Sequence, residues 1–225
     1  MKVKLLKFTQ EPEKICAMAA RLCYSNAGID KIVEEFTTRK IKKLLAKVIS
    51  SGHHSVLEHV SFTFGIEGVS RALLTQLTRH RIASFSVQSQ RYVKFKNGID
   101  FVVPQTINKN VNLLKKYNNF LKNSEKLYKE FLDFGISAED ARYVLPNACV
   151  TKIVITMNAR ELRHFFSLRS CNRSQWEIRD MTCRMLKIVK KKAPLLFSDA
   201  GPSCTRKACH ETFPCAKPWK KNSVE

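Results

Sequence analysis

The amino-acid sequence predicts an α+β fold in one domain, and two observations carry that expectation. Short segments with strand patterning and longer segments with helical periodicity both occur, but they do not alternate strictly. Hydrophobic residues make up 44% of the 225, with only seven glycines and seven prolines, which suits a globular chain and not a disordered or fibrous one. That length is enough for a sizeable core.

Residues 3–8 (VKLLKF) alternate as a short strand does. In EPEKICAMAARLCYS, Pro12 stands early and Ile15, Ala19 and Leu22 recur at helical spacing, which predicts a first helix. Asp30 can cap a second, running to about Ser50 with Ile32, Phe36, Ile41, Leu44, Leu45 and Val48 on one side. Residues 60–68 (VSFTFGIEG) have the aromatic and β-branched content of a strand, and helix returns over 69–80. Residues 99–104 (IDFVVP) read as a strand stopped by Pro104, and residues 107–134 as one long, lysine-studded amphipathic helix. Ser137 and Asp140 make a capping box for a short helix ending near Pro146. Residues 151–157 (TKIVITM) are a strand. Asn158 with Glu161, and Ser174 with Glu177, then open two further helices, the last reaching about Lys192. From Pro194 the chain reads as irregular, and no repeat or low-complexity linker is present.

Charge is the outlier. Forty Lys+Arg against 19 Asp+Glu give +21, a field that attracts polyanions and phosphorylated ligands, although most of these lysines serve to solvate an exposed face. No apolar run reaches the length of about 18 residues that a membrane span needs, and the amino-terminal MKVKLLKFTQEPEK has too short an apolar core for a signal peptide. The expected location is the cytoplasm, with the eight cysteines as thiols. Cys16, Cys23, Cys149, Cys171 and Cys183 stand singly among apolar neighbours and read as buried packing.

The stretch RHRIASFSVQSQRY (79–92) interleaves guanidinium groups with hydroxyls. On a helix over 69–80, Gln76, Arg79 and His80 share one face, and the loop beyond returns through Ser89 and Arg91. Arg forks, Ser hydroxyls and backbone N–H groups together suit a phosphate. Arg71, Arg79, Arg81 and Arg91 are all arginine in a chain that elsewhere prefers lysine, which favours directed planar contacts over a solvated surface. A second set lies in ARYVLPN (141–147) and NARELRHFFSLRSCNRSQWE (158–177). Arg160 and His164 share a helix face, with Arg169 about 180° away from Arg160. Such a helix can touch two ligands or sit in an interface, and spacing leaves both open. Ser84, Ser86 and Ser89 have only His80 as a nearby base, and neither Cys149 nor Cys171 has a thiol-enzyme setting, so covalent catalysis by the protein is not indicated.

Arg79-His80-Arg81, Ser84, Ser89 and Arg91 fulfil the signature RHR-x2-S-x4-S-x-R, and with it the chain resembles the flavin-dependent thymidylate synthases. The segments SGHHSVLEHVSFTF, ARYVLP and NARELRHFFSLR resemble that family in the same order, so the likeness covers roughly residues 1–197 and leaves 198–225 as a Cys- and Lys-containing tail. The resemblance implies a central, mainly antiparallel sheet flanked by long helices, in a homotetramer with active sites where subunits meet. It implies reductive methylation of dUMP to dTMP, with 5,10-methylenetetrahydrofolate as carbon donor and NADPH or NADH as reductant through FAD. By position, Gln76, Arg79, Val87, Ser89, Gln90, Arg91, Arg142 and Arg169 fall on substrate contacts. Ser55, Arg79, His80, Arg81, Val87, Asn158, Arg160 and His164 fall on flavin contacts. Arg169 matches the arginine placed against the uracil ring, where a guanidinium stabilises developing negative charge and acts as the catalytic group.

Where members commonly carry Asn-Glu, this chain has Ser86-Val87, so the acidic group is missing at 87. Gln90 replaces a frequent glycine, which matters if the backbone there needs positive φ. Ser55 stands where threonine is frequent, and with Glu58 it also reads as a capping box. His53, His54 and His59 suit flavin-site or packing roles better than a metal. Cys204, Cys209 and Cys215, with His210 among them, have looser spacing than a CxxC pair and read as thiols of a mobile tail, so no metal is expected. Neither a membrane nor a specific nucleic acid is an expected partner. A basic nucleic-acid-binding protein is one rival, but the aromatics are not interleaved with Lys and Arg as stacking platforms. A nucleotide-binding member that has lost catalysis is the other.

Overall fold

The computed structural model describes residues 1–95, 98–206, 209 and 211–219. Four strands, β1 (Lys2–Phe8), β2 (Ser61–Ser70), β3 (Ser84–Val87) and β4 (Val150–Asn158), form one antiparallel sheet in the order β1-β2-β4-β3. Backbone bonds fix its register: Thr9 N donates to Ser61 O at 3.1 Å, Arg71 N to Cys149 O at 3.1 Å and Gln88 N to Lys152 O at 2.9 Å. Side chains alternate with the period of two that a half-buried strand requires. Phe62, Phe64 and Ile66 on β2, and Ile153, Ile155 and Met157 on β4, are buried, whereas Lys152 and Val154 are exposed.

The helices, in chain order, are α1 (Pro12–Leu22), α2 (Ile29–Glu34), α3 (Thr38–Ser50), α4 (Arg71–Leu77), α5 (Gln105–Asn108), α6 (Val111–Asp133), α7 (Ala138–Ala141), α8 (Ala159–Arg169), α9 (Trp176–Lys192) and α10 (Pro194–Phe197). The described residues cluster into two compact units, one of Met1–Lys2, Ile66–Arg79 and those within Phe85–Val154, the other of Val3–Gly65, His80–Ser84 and those from Ile155 onward. In the first, Ile99, Tyr128, Ala141 and Cys149 form a core that Phe95, Phe101 and Phe131 cover. In the second, Phe62 stacks on Phe8 with ring centroids 5.8 Å apart and meets Phe197 edge-on at 5.5 Å. Around them α1 packs on α3, and α8 packs on α9 and on the 3-10 turn His54–His59.

Several local expectations change. The helix expected from Asp30 to Ser50 is two helices, because Thr37 adopts extended backbone and its side chain accepts from Lys40 N, capping a fresh start. The expected helix 107–134 likewise begins as the separate turn α5, and α6 opens on Asn110, whose side chain accepts from Leu113 N. The 99–104 strand reduces to a single bridge from Phe101 to Cys149. Ser174 does not cap α9; Gln175 accepts from Glu177 N and Ile178 N instead. The Ser55–Glu58 capping box is absent, since the 3-10 turn has no side-chain cap. Cys16 and Cys149 are buried as expected, but Cys23 is exposed and Cys171 and Cys183 are half-buried, because Cys23 lies at the end of α1 beyond its buried face. Burial pushes the Cys16 thiol, with Glu13 beside it, up to about 12. Among the described residues, no helix is long and apolar enough to cross a membrane.

Phe62 joins two aromatic contacts at full burial, so Phe62→Ala should cost about 3–5 kcal/mol of stability, read as a lowered midpoint in chemical denaturation. A loss below about 1 kcal/mol would show that the strand's inner face repacks freely.

Candidate functional site

The second unit contains a cavity of about 560 Å³, within the range of about 300–1,000 Å³ usual for ligand clefts. Its walls include His54, Asn158, Arg160, Arg163, His164 and Arg206. Helix α8 sets the arrangement. It starts where Asn158 Oδ1 accepts from Glu161 N at 2.8 Å, and Ala159 N donates to Val60 O at 2.7 Å, tying the first turn to the entry of β2. From this anchored start, Arg160 and His164 line the cavity together at i and i+4, as the sequence pattern predicts.

Another face of α8 holds a buried polar chain. Arg169 Nε donates to His80 Nε2 at 3.0 Å, and His80 Nδ1 meets Glu161 Oε1 at 3.2 Å. Because Arg169 can only donate, Nε2 must be the acceptor, so Nδ1 carries the proton and donates to Glu161. Burial pushes the imidazole pKa below its ordinary value. The Glu161 hydrogen bond opposes that shift and the charge of Arg169 adds to it. His80 also packs edge-on against Phe165 at 4.9 Å. The residue expected at the reacting ring is therefore oriented by a neutral histidine, which a glutamate at the cavity wall holds in one tautomer. Glu161 read as a helix cap alone; the sequence has no signal for its second role.

Arg163 is the other residue that sequence reasoning passed over. It is buried and forks onto Asp199 at 2.7 and 2.9 Å, also donating to Leu196 O at 2.7 Å. Its buried Nε has no hydrogen-bond partner and lies in a residue lining the cavity. Burial alone would raise the Asp199 carboxyl, but the hydrogen bonds and charge of Arg163, with Arg206, hold it below the ordinary carboxylate value. His54 lines the cavity with its pKa lowered, chiefly by burial, and its Nε2 lies 3.3 Å from Ile49 O. His53 and His59 are exposed, and no cluster of metal ligands occurs among the described residues. Ser55 is exposed on the 3-10 turn, and Glu58 from the same turn pairs with Arg160.

In the first unit, Arg91 and Arg142 meet around one residue. The Arg91 guanidinium pairs with the Glu139 carboxylate, and Arg142 Nε donates to the Glu139 carbonyl at 2.9 Å. Ser89 Oγ accepts from Arg91 N at 3.1 Å. Gln90 is buried and donates to Cys149 Sγ at 3.3 Å. Its backbone is not in the positive-φ region, which among non-glycine described residues only Glu11 occupies, so glycine is not required there. Helix α4 ends at Leu77, so Gln76 is helical while Arg79 and His80 lie beyond the terminus and do not share its face. Arg79 and Arg81 are exposed, and Val87 is the half-buried last residue of β3, a strand inside the stretch expected to be loop.

Residues 4–195 match a family described as thymidylate synthase complementing protein. Similar proteins include the flavin-dependent thymidylate synthase of Geobacter sulfurreducens, 51% identical over 212 residues (94% of this chain, 91% of the relative). That of Clostridium tetani is 46% identical over 234 residues (96% and 94%). That of Pyrococcus furiosus is 40% identical over 211 residues (91% and 86%).

Acid should weaken the second unit, because His80 and Asp199 both have lowered pKa values in the folded chain. His80 in the folded chain binds its proton less readily than in the unfolded chain, where the ordinary value is 6.5. Its contribution is present above that value and is lost as pH falls through the lowered native one. Asp199, also depressed, adds a loss at lower pH, below the ordinary 3.8. NMR titration of the His80 ring should give a midpoint below 6.5, with stability falling across the same window; a midpoint above 6.5 contradicts the neutral tautomer.

Proposed function

The chain belongs to the thymidylate synthase complementing protein family, and from that premise we propose that it is a flavin-dependent thymidylate synthase, methylating dUMP to dTMP without a covalent protein nucleophile. The observation that carries this reading is the Glu161–His80–Arg169 chain, which aims a guanidinium through a neutral acceptor. A neutral partner orients the arginine without cancelling its charge, as stabilisation of a pyrimidine gaining negative charge requires.

Gln76, Arg79, Val87, Ser89, Gln90, Arg91 and Arg142 hold the nucleotide in this reading, with the phosphate taking Arg91 from Glu139. Gln90 and Val87 contribute backbone. Ser55, Arg79, His80, Arg81, Val87, Asn158, Arg160 and His164 hold FAD. The cavity suits a phosphate-bearing group on three counts: the positive N-terminus of α8, five lining cations or imidazoles in His54, Arg160, Arg163, His164 and Arg206, and the unpartnered Arg163 Nε. When bound, FAD supplies passage of reducing equivalents from NADPH or NADH, and 5,10-methylenetetrahydrofolate supplies the carbon. The residues of this chain then orient, neutralise charge and exclude water.

The assembly is a homotetramer in the cytoplasm, with active sites built at subunit interfaces. Leu113, Phe120, Leu127 and Phe134 recur every seven residues along α6 and just beyond it, and all four are exposed, Phe134 at 87%. An apolar row at heptad spacing suits a partner helix.

The purified protein should be yellow and should bleach anaerobically with NADPH; a chain that never holds flavin overturns the reading. Arg169→Ala should lower the rate of thymidylate formation by about 10²–10³ while the colour stays. Val87→Glu should leave activity intact or raise it; loss of dUMP binding in that variant would contradict the placement of residue 87. Phe120→Glu should shift the sedimenting species below a tetramer.

A further inference from the structure

We propose that Cys171, Cys204, Cys209 and Cys215 form a tetrathiolate zinc site that fastens the carboxy-terminal tail to the end of α8. All four line one small cavity of about 90 Å³. Cys171 comes from the turn after α8, and the other three come from the tail after the 3-10 turn Ser203–Thr205 begins, so the cavity joins segments far apart in sequence. The tail is already docked against that turn. Trp219 Nε1 donates to Ser170 O at 3.0 Å, Asn172 Nδ2 donates to Lys217 O, and Arg173 faces Glu211 at 3.6 Å.

Packing does not account for these thiols. Cys16 and Cys149 are fully buried in the cores, whereas Cys171, Cys204 and Cys215 are half-buried and Cys209 is exposed. Nor does the tail hold a core of its own: among its described residues from 203 to 219, only Thr205 is buried. Segments of that kind use a metal where a core is missing. Four thiolates are a donor set for tetrahedral zinc. Binding releases one proton from each thiol, forms four Zn–S bonds and leaves the metal as Zn²⁺, so no oxidant or reductant enters. The resulting dianion is offset by Arg173 in the cavity wall and by a chain of net charge +21. Among the described residues no group of three or more His, Cys, Asp or Glu is already set to hold a metal. Closure therefore requires the four side chains to rotate inward. His210 lies outside the described residues and is not one of the ligands.

The test needs no turnover. Full-length protein purified under reducing conditions without chelator should carry one zinc per chain by plasma mass spectrometry. The cobalt-substituted protein should show the intense thiolate charge-transfer and d–d bands of a tetrahedral site. Cys204→Ser and Cys215→Ser should lose the metal. Cys23→Ser, an exposed cysteine elsewhere, should retain it. Metal-free wild type, iron in place of zinc, recovery of the four thiols as two disulfides, or full zinc in both tail variants would each overturn the site.

Discussion

The candidate site depends on a single constraint: a histidine that must stay neutral inside the protein. His80 is 6% exposed and lies between an anion and a cation, Glu161 and Arg169. A protonated imidazole would present a donor to a guanidinium that has only donors, and the chain of bonds would break at its centre. Burial makes the neutral form the cheaper one, and the glutamate selects which nitrogen keeps the proton. Arg169 is then pointed by packing and by the His80 acceptor, both features of the resting fold, which is what preorganisation means in electrostatic catalysis.

Helix α8 distributes that constraint. Its first turn is pinned to β2 by Ala159 and capped by Asn158; its middle is riveted by the Arg163–Asp199 fork; its last residue is Arg169. Because 3.6 residues complete a turn, Arg160 and His164 fall together at the cavity. Phe165 and Phe166, one step further round, are buried instead, and meet His80 and Phe197 edge-on. The large net charge matters less than its pairing. Arg91, Arg160 and Arg163 each sit against a carboxylate, from Glu139, Glu58 and Asp199. In the proposed reading an incoming phosphate exchanges with those acids, and exchange favours the more highly charged, bidentate ligand. Exposed pairs such as Arg91–Glu139 add little to stability and are therefore cheap to open.

Much of this was legible from residue types and spacing. The 3.6-residue period put Arg160 with His164 and Arg169 away from them, and α8 shows that arrangement. The Asn158 and Ser137 caps form as their spacing predicts, because a capping bond needs only local geometry. What sequence could not show are contacts between distant segments. Glu161 with His80 and Arg163 with Asp199 are set by tertiary packing, and nothing local distinguishes those acids from solvated ones. Helix ends failed for a related reason: Thr37 and Asn110 cap new helices inside runs whose apolar periodicity continues unbroken, so the period alone conceals the break.

The thiols supply the last step. A nucleophilic cysteine needs a depressed pKa and access to its substrate. Cys149, which accepts a hydrogen bond from Gln90, has neither: burial raises its thiol against the weaker opposing influence of Gln90 and Arg71, and it is wholly enclosed. Cys16 is raised to about 12 by the same cause. Neither of these buried sulfurs is set up to bond to a pyrimidine, which accords with the proposed reading that activation comes from charge placed beside the ring. An arginine held by a neutral histidine provides such charge at any pH where His80 remains unprotonated.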